Sequence, residues 1–167
     1  MVVVMKNILY IFMRNDLPSM NAGKAMAQAS HASAQLVTNY SSKYEYIKDW
    51  AEEGEGFGTT IVLEGSKNSI SDLLLNIINR RYSYSIITGN IIDETYPFKA
   101  QKEILDLLNF KDNEYNIQIV DDTMDKFGMI PCTRKEHTCS WMFFRGNEDE
   151  QEHFKKLCEA FNISLHK

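Results

Sequence analysis

Six consecutive apolar residues, Ile8 to Met13 within the run NILYIFM, leave a strand no polar side chain to turn toward water. A strand of that kind is buried on both faces and needs a covering layer above and below. The rest of the chain supplies such layers. After the turn RNDLPSMN, where Pro18 keeps a helix from running back, a long helix is predicted from about Asn21 to Tyr40. A second helix is expected within 41–57, ending at glycines. TTIVLEG (Thr59 to Gly65) is β-branched and reads as a strand. SISDLLLNIINRR begins with capping residues and sets Ile70, Leu73, Leu74, Ile77 and Ile78 at helical spacing. YSYSIITGNIID reads as a third strand, PFKAQKEILDLLNF as a helix behind Pro97, YNIQIVDD as a candidate strand and TCSWMFF as a strand. NEDEQEHFKKLCEAF reads as a helix with its acids at the favourable N-terminal end, and ISLH as a closing strand. Strands alternating with helices predict the α/β class: a three-layer sandwich, with a mixed sheet of at least four strands and helices on both faces. The length of 167 residues suits one domain.

Composition narrows the function. No apolar run approaches the roughly 20 residues of a membrane helix, and Lys6 and Asn7 interrupt the apolar start, so a cytoplasmic protein with no membrane partner is expected. Three cysteines (Cys132, Cys139, Cys158) imply reduced thiols rather than a disulfide framework. The net charge of −5 means that any RNA partner needs a locally basic surface.

The long helix carries the most specific signal. At 100° per residue, Asn21, Lys24, Gln28, His31 and Gln35 fall within an arc of about 80°. Beside this polar stripe lies a second stripe of small residues, Ala22, Ala25, Ala29 and Ala32, ending at Leu36. A core helix with one solvated face accounts for a polar stripe, but not for its lying next to the close-packed one.

The stretch RNDLPSMNAGKAMAQASHA resembles the first strand, turn and helix of the archaeal and eukaryotic type-two peptidyl-tRNA hydrolases. Their R-x-D-L turn is matched by Arg14, Asp16 and Leu17, and their G-K-x-x-x-Q-x-x-H-A helix by Gly23, Lys24, Gln28, His31 and Ala32. Trp50, TTIVLEG, SISDLLLNIINRR, SIITGNIIDETYP, TCSWMFFRG and FKKLCEAFNISLHK follow in the family's order. About residues 98–137 read as an insertion in the single domain. The chain is also similar to phage relatives, in which a DxTYP loop replaces D-x-G-R-T; here it reads DETYP.

The resemblance implies cleavage of the ester between a peptide and the terminal ribose of tRNA, with no metal or cofactor. It implies Lys24 at the tRNA 3′ end, Asp93 as the acid that orients or activates water, and Thr95 and Thr138 as neighbouring hydroxyl groups. Asn21, Gln28, His31 and Arg14 would support substrate, with Arg80 and Arg81 in RRYSY as candidate RNA contacts. The family's loop arginine is absent, and an alternative alignment places Asp121 or Asp122 of IVDDT as the acid. The physical reading alone agrees: a lysine for charge, and a carboxylate at a strand's carboxyl end, where open α/β sheets bind ligands. Two alternatives stand beside it: a non-catalytic member that binds tRNA or protein, and a hydrolase of another aminoacyl ester.

Other constellations carry less. CTRKEHTC lacks the paired cysteine spacing of a zinc site. EGEGFG lacks the G-K-[ST] of a phosphate loop. A Cys139–His31 pair would make a thiol hydrolase, although nothing in the spacing joins them. The insertion's helix has an apolar stripe, Ile104, Leu107 and Leu108, expected to be buried against the domain or in a homodimer and to flank or lid the site.

Overall fold

The computed structural model describes residues 4–56, 58–111, 117–121 and 123–166. The elements are β1 (Lys6–Arg14), α1 (Ala22–Tyr40), α2 (Glu45–Gly56), β2 (Thr60–Gly65), α3 (Lys67–Arg80), β3 (Ser85–Gln101), α4 (Lys102–Lys111), β4 (Gln118–Ile119), β5 (Met129–Gly146), α5 (Glu148–Ala160) and β6 (Ser164–Leu165). The strands form one six-stranded mixed sheet in the order β3-β5-β1-β2-β6, with β4 paired to β5. β1 is parallel to β2, from Leu9↔Thr60 to Arg14↔Gly65, and antiparallel to β5, from Lys6↔Gly146 to Met13↔Cys139.

The chain divides into two compact units. The first comprises Met1–Ile91 and Cys139–Lys167. Here β1 is buried on both faces, as its apolar run requires. Leu9, Ile11 and Met13 pack with Ala25, Ala32 and Leu36 of α1 and with Ile47 and Trp50 of α2. Ile8, Tyr10 and Phe12 pack with Ile70, Leu73 and Ile77 of α3 and with Phe154 and Cys158 of α5. The predicted α3 stripe is narrower in the fold: Leu74 is partly buried and Ile78 is 54% exposed. Among the described residues no helix is long and apolar enough to cross a membrane.

The second unit, Ile92–Thr138, holds the later part of β3, α4, β4 and the earlier part of β5 around Ala100, Leu105, Ile130 and Cys132. Two expectations change here. The helix predicted behind Pro97 begins only at Lys102, because β3 continues through Pro97 to Gln101. β3 ends the strand order, and an edge strand tolerates a residue without an N–H. In α4 it is Leu105 that turns inward, fully buried, while Ile104 and Leu107 are 47% and 65% exposed; the Leu108 side chain lies outside the described residues. This stretch of sequence has six basic and ten acidic residues, a net −4 of the chain's −5.

Candidate functional site

Two adjacent parallel strands set up the first unit's ligand edge. β1 and β2 end side by side at Arg14 and Gly65, and the helices that follow them cover opposite faces of the sheet. That divergence is the topological switch point at which open α/β sheets bind ligands, outside the strands' carboxyl ends. The chain ties this edge together. Asn15 N–H donates to the Gly65 carbonyl at 3.1 Å. Arg14 is buried and grips Asp16 with two bonds, Nε to Oδ1 at 2.8 Å and Nη2 to Oδ2 at 3.2 Å. Asp16 Oδ2 also accepts the Lys67 N–H at 3.2 Å, joining the turn after β1 to the start of α3.

Burial pushes the Asp16 carboxyl up, but the Arg14 guanidinium and the Lys67 N–H outweigh it and hold the group below its ordinary value. The paired carboxylate therefore contributes stability above the ordinary aspartate range of about 4 and loses it as pH falls through the lowered value. The Asp16→Asn variant is expected to melt below wild type at pH 7, with a smaller gap at about pH 3. Thermal melts at both pH values check this.

At the same edge Asn21 caps α1, its Oδ1 accepting Lys24 N–H at 3.0 Å. Lys24 is half-buried, and its Nζ donates to the Ser19 carbonyl at 2.9 Å. No acidic residue stands in the helix's first turn, so the helix dipole and the ammonium both favour an anion here. The polar stripe divides. His31 is exposed, whereas Gln28 is 6% exposed and lies among the helix's buried residues Ala25, Ala32 and Leu36. That answers why the polar stripe adjoins the small-residue one: part of it is core.

Arg80 and Arg81 are exposed at the other end of α3, about 20 Å from Lys67 by the helical rise. Their tyrosines are not open stacking platforms: Tyr84 is buried and Tyr82 lies parallel to it at 5.3 Å.

The remaining predicted residues belong to the second unit. Asp93 is half-buried on β3, and its Oδ1 accepts Thr95 N–H at 2.9 Å and Thr95 Oγ1 at 3.4 Å. Thr95 is exposed and Thr138 fully buried. The rival acid Asp121 makes the same local pattern with Thr123, at 2.9 and 2.6 Å, but is exposed; Asp122 lies outside the described residues. The Thr123 hydroxyl and N–H hold Asp121 below its ordinary value, which makes it a poorer proton acceptor.

Each cysteine packs in a different core. Burial pushes Cys139 and Cys158 up to about 12, so both stay protonated thiols at neutral pH. Cys139 is fully buried, its Sγ 3.9 Å from the Gln28 carbonyl, while His31 is exposed; the two do not make a nucleophile–base pair. Among the described residues no three His, Cys, Asp or Glu side chains gather as a metal site would require.

Sequence reasoning passed over Ser140 and Asn90. The buried Ser140 hydroxyl donates to Asn90 Oδ1 at 2.8 Å. A strand-interior Gly-Asn pair, unfavourable for a strand, was the available signal.

No curated protein matches this chain. The family model for peptidyl-tRNA hydrolase PTH2 matches residues 7–96, a span that runs from β1 through the Arg14–Asp16 turn, Lys24, Gln28 and His31 to Asp93 and Tyr96 and leaves out Asp121. With more than half of its length inside that match, the chain belongs to the peptidyl-tRNA hydrolase PTH2 family.

Proposed function

We propose that the protein hydrolyses the ester linking an N-acylated amino acid or peptide to the 3′-terminal ribose of tRNA. The observation that carries this reading is the family match over 7–96, which spans both Lys24 and Asp93. In the proposed reaction Asp93 accepts a proton from water as its oxygen attacks the ester carbonyl. The carbonyl oxygen becomes an oxyanion, and Lys24, or the N-terminus of α1 beside it, holds that charge or the adjacent phosphate. As the intermediate collapses, the bond from carbonyl carbon to ribose oxygen breaks, and Asp93 returns the proton it took from water to the leaving ribose oxygen. The carboxylic acid so formed gives its own proton to solvent and departs as a carboxylate. Thr95 orients Asp93, in keeping with its two hydrogen bonds to that carboxylate. We assign Thr138 a supporting role at the same acid, and the exposed His31 and Asn21 contacts to substrate.

Gln28 and Arg14 act from beneath, as braces of α1 and of the turn; the Arg14–Asp16 pair and the burial of Gln28 support this. Arg80 and Arg81 contact the tRNA backbone away from the ester. The concentration of negative charge in residues 92–138 favours phosphate contacts on the rest of the chain. Release of N-acetyl-amino acid from charged tRNA, compared with release of free amino acid from the unacetylated form, tests the reading. It also separates this reading from a hydrolase of some other aminoacyl ester.

A further inference from the structure

Asn90 is an exposed asparagine inside a strand, a position where its side chain adds little to pairing. Yet the first unit spends buried groups on holding it. The hydroxyl of Ser140, 1% exposed on the neighbouring β5, donates to Asn90 Oδ1 at 2.8 Å. From α1, Gln35 Nε2 donates to the Asn90 carbonyl at 3.4 Å. The same Gln35 accepts the indole N–H of the buried Trp141 at 2.6 Å through Oε1. The Trp141 ring in turn lies flush against Gly89, so closely that a Cβ there would stand 2.4 Å from it. β3 is thus fixed at residues 89–90 from three sides: by a ring beneath Gly89, by a β5 hydroxyl and by an α1 amide.

We infer that Asn90 is a positioning residue for the proposed ester hydrolysis, fixing β3 three residues ahead of Asp93. The inference rests on the reading of Asp93 as the water-activating acid. The path to it is the strand itself. Asn90 does not touch the reacting atoms; its side chain sets where the backbone stands as it leaves for Asp93, and small displacements of a catalytic group are costly to rate. Gln35 gains a role by the same route. It belongs to the polar stripe of α1 because it satisfies Trp141 and tethers β3, not because it faces solvent.

The test compares Asn90→Ala, which removes the acceptor, with Asn90→Asp, which keeps an acceptor for the Ser140 hydroxyl. Asn90→Ala takes an acceptor from the buried Ser140 hydroxyl and is expected to lower the melting temperature by a few degrees at most, Asn90→Asp by less. Asn90→Ala is expected to lower kcat on N-acetyl-aminoacyl-tRNA about tenfold, with KM within about twofold of wild type, and Asn90→Asp to restore most of the loss. Amide hydrogen exchange at residues 91–93 is expected to quicken at least about threefold in Asn90→Ala and to stay at the wild-type rate in Asn90→Asp. Wild-type kcat in Asn90→Ala, or a kcat loss that simply follows melting temperature, overturns the inference. Unchanged exchange overturns it as well, and does so even if the wild type releases nothing from tRNA. Failure of the esterase reading is thereby kept apart from failure of the positioning role.

Discussion

Replacing Lys24 by alanine is expected to cut release of peptide from tRNA by about 10²–10³-fold, with the melting temperature close to wild type. The expectation comes from what surrounds the ammonium. It is half-buried at the start of α1, where its Nζ donates to the Ser19 carbonyl. A positive charge fixed in that way can meet developing negative charge without reorganising. Asp93→Asn is expected to lower turnover by about 10²–10⁴-fold, because an amide cannot accept the proton of the attacking water. Asp121→Asn should leave turnover near wild type. Asp121 forms the same bonds to a threonine two residues on, but it is exposed and lies outside the family match. Initial rates on charged tRNA for the three variants, read beside their melts, test the assignment; a large loss in Asp121→Asn with Asp93→Asn active would reverse it.

The second large effect concerns stability. Phe154→Ala should cost about 3–5 kcal/mol, measured by denaturant unfolding. Phe154 is fully buried on α5, with Tyr10 at 4.6 Å, Phe144 at 6.0 Å, and Phe12 and Tyr84 at 6.5 Å between ring centroids. Truncation removes the ring's transfer energy and leaves a void bordered by rings that themselves fill the core between sheet and helix. α5 lies beyond residue 96, so the span matched by the family does not by itself complete this core. A loss under about 1 kcal/mol would mean that α5 docks more loosely than the packing implies.

Much of this architecture was legible because local pattern and tertiary demand agree. The run through Met13 demanded cover on both faces and has it; Asn21 announced the start of α1 and caps it; α3 forms where expected but is capped at Ser66, ahead of the serines and aspartate of SISD that the capping chemistry pointed to. The misreadings came where neighbours overrule local pattern. Pro97 signals a helix start, but a sheet edge accepts proline, and β3 runs through it. Gln28 looks solvent-facing on a helical wheel, but the sheet lies close enough to cover it. Tyr84 stands in a basic, RNA-like stretch, yet packs among Phe144, Phe154 and Tyr82. In α4 the position turned inward depends on the small core of the second unit, which periodicity alone does not reveal. For the candidate site, the residue types were readable from the motif at Gly23–Ala32 and from DETYP. The Asn90 tether was not, because it joins α1, β3 and β5 across up to 106 positions of sequence.

The proposed function requires that this family member still performs ester hydrolysis on tRNA despite its altered loop. Single-turnover release of N-acetyl-amino acid from charged tRNA, with wild-type protein in excess, tests it most directly. Complete release is expected, at a rate that falls with added salt as phosphate contacts weaken. Salt-sensitive tRNA binding with no release above the spontaneous rate would contradict it, and would mark a chain that keeps the binding surface and has lost the chemistry.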